Sequence, residues 1–481
     1  MSAKDGGPAG GTLRPDLCVI GAGSGGLSVA AGAVQMGASV VLVEAGEMGG
    51  DCLNRGCVPS KALIAAGRRA QAFREGAPFG VAPATPEVDW GAVHAHVHDV
   101  IAGIAPHDSQ ARFEGLGVTV IRARARFVSE REVAAGDARV RARRFVIATG
   151  SSPALPPIPG LAETPHLTNE TLFDLTERPE RLLILGAGPI GMEMAQAHRR
   201  LGCEVTAIEG DRALGREDPE LAAIAVARLR AEGVEILEGA RAVSVEGEAG
   251  AVAVTLEDGR RVEGSHLLVA LGRRADLEGL GLEAAGVART PEGVRVDAGL
   301  RSSNRRVYAV GDAAGGPQFT HVAGWHAGLV IRSALFRLPV RAESGAIPRV
   351  TYVEPELAQV GLTEAEAGRR FGAAAVEVLR VPYAESDRAR TERATEGLVK
   401  VIAVKGRPVG AGIVGAAAGE LIGLWALAIS ARLKLGAVAG MVAPYPTLGE
   451  LSKRAAGAHF TPKLFASPWV KRAVRALARL G

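Results

Sequence analysis

The sequence predicts an α/β chain, with two Rossmann-like dinucleotide-binding domains followed by a C-terminal α+β domain. Three observations carry that prediction. A unit of strand, glycine-rich turn, helix, second strand and terminal acid occurs twice. A later apolar strand ends in Gly311-Asp312 and completes the first unit after the second has intervened. Beyond about residue 345 the pattern changes to strands and helices without nucleotide motifs. The length of 481 residues suits roughly three domains. With 63 glycines and 4% aromatics in a chain that is 47% apolar, a glycine-rich α/β enzyme fits better than a β-sandwich or a disordered chain.

The first unit opens with the apolar run Leu17-Cys18-Val19-Ile20, which feeds Gly21-Ala22-Gly23-Ser24-Gly25-Gly26. A small-residue helix is expected over 27–35, then a strand over 39–43 ending in Glu44. Gly21, Gly23 and Gly26 allow a tight turn and close backbone approach to a pyrophosphate, and Glu44 can accept from a ribose 2′-OH. The second unit repeats this from residue 181, with Gly186, Gly188 and Gly191, a helix to Leu201, a strand over 204–208, and Glu209. Two such units imply two dinucleotides.

Between them, residues 145–150 read as a buried strand ending in the small turn Ala148-Thr149-Gly150. Residues 151–160, with four prolines, read as a semi-rigid linker. The strand over 267–271, ending at Gly272, closes the second unit, and residues 307–312 return to the first. The later domain offers strands over 350–353, 376–381 and 398–404.

The chemistry centres on residues 49–63, GGDCLNRGCVPSKAL. Pro59 falls in the first turn of an expected helix, so Cys57 lies at a helix N-terminus, where exposed N–H groups and the dipole favour a thiolate. The chain has four cysteines, too few for a disulfide framework, and no histidine cluster completes a zinc site. A reactive Cys52–Cys57 pair is therefore expected. Cys18 and Cys203, set among apolar strand residues, read as buried thiols.

With these motifs in this order, the chain resembles the class I pyridine-nucleotide-disulfide oxidoreductases, the family of dihydrolipoamide dehydrogenase, glutathione reductase and mercuric reductase. The resemblance runs from Leu17 to about Glu450. It implies an FAD-binding domain at 1–155 and 276–344, an NAD(P)-binding domain at 156–275, a dimerisation domain at 345–460, and a separate basic tail at 461–481. In its terms, Cys52–Cys57 is the redox-active disulfide, with Cys57 against the flavin and Cys52 meeting substrate. Lys61 faces the flavin from one helical turn further on, and Glu193, placed on the first turn of the second unit's helix, pairs with it. Asp312 holds the ribityl chain, and Gly50, Thr149, Gly150 and Gly272 join the cofactor-binding set. His321 either approaches the flavin or is a core histidine. Glu209 favours NADH by repelling a 2′-phosphate, although Arg212 and Arg216 follow closely and leave NADPH open.

One segment departs from the pattern. The family's disulfide reductases carry His-Pro-Thr-x-x-Glu near the C-terminus, and here the segment is Tyr445-Pro446-Thr447-Leu448-Gly449-Glu450. Tyrosine, with an ordinary pKa of about 10, is a poor base near neutrality. Tyr445 and Glu450 stay in the expected catalytic set, and the acceptor divides three ways. A disulfide or lipoyl-type acceptor is the first reading. A metal ion such as Hg(II) is the second, because mercuric reductases carry tyrosine there and resemble Arg216-Glu217-Asp218-Pro219. No cysteine follows Cys203, however, to hand metal on. A low-turnover redox-sensing flavoprotein is the third.

The formal charge of +4 and the absence of finger or RNP-like motifs give no nucleic-acid footprint. The start has no apolar signal region, so a cytoplasmic protein is expected, and the family resemblance implies a homodimer. Residues 413–430, the most membrane-like stretch, contain Glu420 and read as a buried helix. From Thr461 the tail sets Lys471, Arg472, Arg475 and Arg479 against Trp469, Val470, Val474, Leu477 and Leu480 at helical spacing. That pattern suits either a helix docked on its own dimer or weak contact with an anionic membrane surface.

Overall fold

The computed structural model describes residues 11–479. The expectation for Leu480, and the start of the 1–155 domain, lie outside the described residues. The first unit forms a five-stranded parallel sheet in the order Val307–Ala309, Arg144–Ile147, Leu17–Ile20, Val40–Glu44, Thr119–Arg122. Its first strand arrives after the whole second unit, because Val307 pairs with Phe145 in parallel register. The central strands Leu17–Ile20 and Val40–Glu44 are apolar on both faces, as a sheet covered twice requires. Helices Ser24–Gln35 and Thr320–Phe336 cover one face. A four-stranded sheet built from residues 12–13, 125–129, 132–135 and 138–140 covers the other, with Phe127 against Phe145.

The second unit repeats the plan with four parallel strands in the order Glu235–Leu237, Glu204–Ile208, Arg181–Leu185, His266–Val269. Helix Pro189–Arg200 follows its glycine turn. The expected linker is partly ordered sheet: Ser151–Pro153 pairs antiparallel with Arg273–Ala275, so the chain leaves and re-enters the second unit side by side. Prolines tolerate this because the pair has only two strands, both of them edges.

The C-terminal domain is a five-stranded antiparallel sheet in the order Arg349–Thr351, Glu356–Gly361, Arg407–Gly415, Leu398–Val404, Val376–Pro382. Helices Ala418–Ser430 and Gly449–Ala458 cover it, and the fully buried Trp425 donates its indole N–H to Ser452 Oγ at 3.1 Å. The stretch 413–430 is not one buried helix. It is the end of a strand, a turn at Ala417 with φ 57°, and then a helix. An apolar run cannot by itself tell buried strand from buried helix, and the small residues 415–419 supply the break. The strand expected over 350–353 stops at Thr351 because the Tyr352 N–H leaves the sheet and donates to Glu193.

Helix Cys57–Arg74 ties the domains together. It lies on Pro189–Arg200, where Gly67 lacks the Cβ that would press on the Ala197 backbone at 3.2 Å. Arg68 reaches Glu354 at 2.9 Å and Glu356 at 3.0 Å in the C-terminal domain. Arg200, almost wholly buried, holds Glu232 at 2.7 Å and also Glu354. Asp218 caps helix Pro219–Ala231 and binds the buried Lys400 at 2.9 Å, while Glu217 binds Arg349 at 2.8 Å. The Arg216–Pro219 segment is thus a clamp onto the C-terminal sheet.

Gly191 and Gly188 separate packing from ligand approach. A Cβ on Gly191 would fall on the Gly186 carbonyl oxygen, whereas one on Gly188 meets nothing within 4 Å. Gly191→Ala should therefore lower the stability of the cofactor-free chain by about 1–3 kcal/mol. Gly188→Ala should change it by less than about 0.5 kcal/mol. Denaturant unfolding of the two variants checks this, and equal losses would contradict it.

Candidate active site

The site is assembled on backbone. Gly49 and Gly50 take φ of 89° and 62°, which lets the cysteine segment press against the first glycine turn. Gly49 N–H donates to the Ala22 carbonyl at 3.0 Å, and a Cβ on Gly50 would meet Gly23 Cα at 2.7 Å. Gly50, expected among the cofactor ligands, thus acts through close approach to Gly23. The short helix Gly50–Asn54 carries Cys52, and Cys57 is the first residue of Cys57–Arg74. Asp51 fixes the intervening loop by accepting from Asn169 at 2.9 Å and pairing with Arg273 at 3.2 Å.

Both cysteines are free in the structure, and each shifts the other's titration. Donation from Cys52 lowers Cys57 to about 6 against the cost of burial, helped by the Thr320 hydroxyl and the Lys61 ammonium. Thr320 Oγ1 lies 3.4 Å from Cys57 Sγ and is itself the first residue of Thr320–Phe336. The sulfur therefore faces two helix starts, each favouring negative charge. Cys52 moves the other way, raised first by its hydrogen bond to Cys57 and then by burial. The two shifts favour a Cys57 thiolate beside a Cys52 thiol.

Lys61 Nζ stands 2.8 Å from Glu193 Oε2 and 4.3 Å from the centre of the Tyr352 ring. Glu193 is only 6% exposed, and its other oxygen accepts from Tyr352 N–H at 2.9 Å. It sits on the second turn of Pro189–Arg200 rather than the first, so it is held by specific partners and not by the helix end.

Two uncapped helix starts face the glycine turns. Gly23 and Gly188 are N-caps with no side-chain hydrogen bond, leaving N–H groups for a pyrophosphate. Gly21 and Gly186 turn at φ of 104° and 100°, and Gly26 and Gly191 let each helix close on its turn. Glu44 accepts from Ala22 N–H and from Gly46 N–H at 2.6 Å. Glu209 accepts from Ala187 N–H at 2.9 Å and Asp211 N–H at 3.2 Å, and each carboxylate keeps lone pairs for a ribose. Thr149 Oγ1 is buried without a hydrogen-bond partner, and a Cβ on Gly150 or Gly272 would meet open space. Asp312, raised chiefly by burial, accepts from Ser151 Oγ at 2.5 Å. An orphaned hydroxyl, a half-buried carboxyl and the open space at Gly150 fit a large bound dinucleotide in the first unit.

Other expected residues are placed elsewhere. Tyr445 is 69% exposed, its hydroxyl donates to Asp387 at 3.1 Å, and that contact raises its pKa. Glu450 lies in the first turn of Gly449–Ala458. Among the described residues no hydrogen bond joins either to the cysteines of the same chain. His321 is neither buried nor aimed at the pair: it is exposed, stacks on Phe319 and bonds the Pro348 carbonyl at 2.9 Å. Its neighbour Thr320 is the residue that reaches Cys57, and only its place beside Gly311-Asp312 could have marked it. Tyr352 and Ser151 were likewise silent in the sequence. Cys18 and Cys203 are fully buried, which pushes both thiols up to about 12. Arg212 and Arg216 are exposed behind Glu209.

Residues 15–327 match the family described as pyridine nucleotide-disulphide oxidoreductase, and residues 347–456 match its dimerisation domain. The chain is 38% identical to a mercuric reductase of Streptomyces lividans over 456 residues, covering 92% of this chain and 95% of that one. It is 33% identical to a dihydrolipoyl dehydrogenase of Bacillus subtilis over 461 residues, covering 92% and 96%. Among solved structures, the Cu(II) complex of the HOCl-induced flavoprotein disulfide reductase RclA from Escherichia coli superposes with a TM-score of 0.83 at 26% identity, covering 92% and 99%.

The Cys57 environment predicts a rate–pH profile. Iodoacetamide should label Cys57 of the reduced, flavin-free chain with an apparent pKa of about 6. Below it the rate should fall about tenfold per pH unit, because only the thiolate reacts. Thr320→Val removes a hydroxyl that stabilises the thiolate, so the profile should move to higher pH. A wild-type profile centred on an ordinary thiol value, about 8.5, would rule this out.

Proposed function

This chain belongs to the pyridine nucleotide-disulphide oxidoreductase family, and we propose that its terminal electron acceptor is a soft, thiol-seeking metal ion such as Hg(II). The family is FAD-dependent and uses a pyridine nucleotide. When bound, the flavin exchanges two electrons between the reduced pyridine nucleotide and the cysteine pair.

The observation that carries this reading is Tyr445 in the place of the family's histidine, its hydroxyl bonded to Asp387. Cys52 keeps its proton beside the Cys57 thiolate. Attack on an acceptor disulfide needs the Cys52 thiolate, and the leaving thiol then needs a proton. The family resemblance implies that the dimerisation domain completes the site of the other copy, so Tyr445 would stand there where the family's base stands, and a phenol whose pKa is raised by Asp387 takes no proton near neutrality. A soft cation displaces thiol protons on binding, so no base is required. Cys52 and Cys57 would hold the ion, which takes up the two electrons of one NAD(P)H and leaves as the metal, while a proton passes to solvent. Lys61, fixed by Glu193 and Tyr352, would keep positive charge beside the pair. Glu209 favours NADH, since a carboxylate at the ribose repels a 2′-phosphate. A disulfide or lipoyl-type acceptor is the second reading, favoured by the retained Glu450 and the likeness to dihydrolipoyl dehydrogenase.

A steady-state panel of Hg(II), lipoamide and glutathione disulfide with NADH and NADPH separates the readings. NADH with Hg(II) should give the highest kcat/KM, by at least about tenfold. Equal or faster lipoamide turnover would transfer the assignment to the second reading, and no turnover with any acceptor to a redox sensor. Cys52→Ser should abolish acceptor turnover while NADH still bleaches the flavin. Tyr445→His should raise disulfide turnover by about 10²-fold or more, within the usual range of a general base.

A further inference from the structure

Beyond the dimerisation domain the chain builds something the redox chemistry does not use. Helix Pro468–Leu477 starts cleanly, with Ser467 Oγ accepting from Val470 N–H at 3.4 Å and proline at its first position. At about 100° per residue, Trp469, Val470, Ala473, Val474 and Leu477 fall on one face, and Lys471, Arg472 and Arg475 on the other. Among the described residues none of this face is buried, and only Val470 is partly covered. Trp469 is 76% exposed, Leu477 66% and, in the preceding turn, Phe465 70%. The Arg472 guanidinium sits 5.4 Å from the Trp469 ring, at the border between the two faces.

We propose that this helix holds the enzyme on an anionic phospholipid surface, lying flat with its apolar face among the acyl chains. Charge complementarity selects the occupant. From Leu451 to the last residue there is no aspartate or glutamate, while Lys463, Lys471, Arg472, Arg475 and Arg479 all lie on or beside the helix. A second copy would bring the same positive charge. Length excludes a span: ten residues make about 15 Å of helix, half the hydrocarbon core of a bilayer. Among the described residues no other helix is long and apolar enough to cross one. A small apolar face with a basic opposite face binds reversibly and loses affinity with salt. The inference is independent of the acceptor, since none of these residues lies near Cys52 or Cys57 in the chain or contacts them.

Co-sedimentation of the holoenzyme tests it, with vesicles of phosphatidylcholine alone and of phosphatidylcholine mixed with phosphatidylglycerol. The wild-type enzyme should bind the mixed vesicles and not the neutral ones, and added salt should release it. R472E/R475E should lower binding by at least about tenfold. W469A/L477A should lower it comparably, and both variants should keep wild-type NAD(P)H oxidation. A fluorescence difference between wild type and Trp469→Phe should shift to the blue only when mixed vesicles are present. Equal sedimentation of wild type and R472E/R475E, or no binding to mixed vesicles, would overturn the proposal. So would a Trp469 signal already blue-shifted and unchanged by vesicles, which places the helix on the other copy of the dimer.

Discussion

The redox centre depends on one close approach between two pieces of backbone. Gly50 lies against Gly23, and Gly49 donates to the Ala22 carbonyl, so the cysteine segment rests directly on the glycine turn of the first unit. Side chains at these positions would hold the two loops apart. Cys52 and Cys57 inherit their position from that contact, and the start of helix Cys57–Arg74 is fixed relative to Ser24–Gln35. A second close approach, Gly67 against the Ala197 backbone, brings the same helix onto the second unit. Lys61 and Glu193 meet because both approaches hold at once.

The electrostatics follow from this packing. A thiolate at one helix start is ordinary, but Cys57 faces two, and Thr320 adds a hydroxyl at the second. Its partner sulfur donates rather than competes. The price is a Cys52 that holds its proton, which makes a base on the substrate side decisive. Among the described residues, none is hydrogen-bonded to Cys52 or Cys57 as such a base. Tyr445 is exposed on the C-terminal domain, bonded to Asp387.

The charged clamps explain how three domains behave as one support. Arg68 and Arg200 reach into the C-terminal domain, Arg349 and Lys400 reach out of it, and Arg200 and Lys400 are nearly buried. Buried pairs add little net stability, but breaking one partner leaves an uncompensated charge, so they fix relative orientation. Arg216–Pro219, which reads from the sequence as a mark of one branch of the family, is part of that clamp.

Periodicity and glycine spacing determined most of the architecture, because close approach and tight turns admit few residue types. The paired units, the interrupted first domain, the cysteine helix and the α+β character of the C-terminal domain were all legible, though two of its five strands, Glu356–Gly361 and Arg407–Gly415, were not. So was the pairing of Lys61 with Glu193, through resemblance. Local pattern failed where partners are distant in sequence. Thr320, Tyr352 and Ser151 carry no signal of their own, since a hydroxyl or a ring becomes part of a site only when folding sets it beside one. Residues 413–430 misled because an apolar run has no period of its own, and residues 151–160 because a strand partner lay 120 residues away, at Arg273–Ala275. The sequence alone set which residues could form the centre. Tertiary structure decided the charge state of its two sulfurs, because that depends on which helix starts and hydroxyls the packing brings to them.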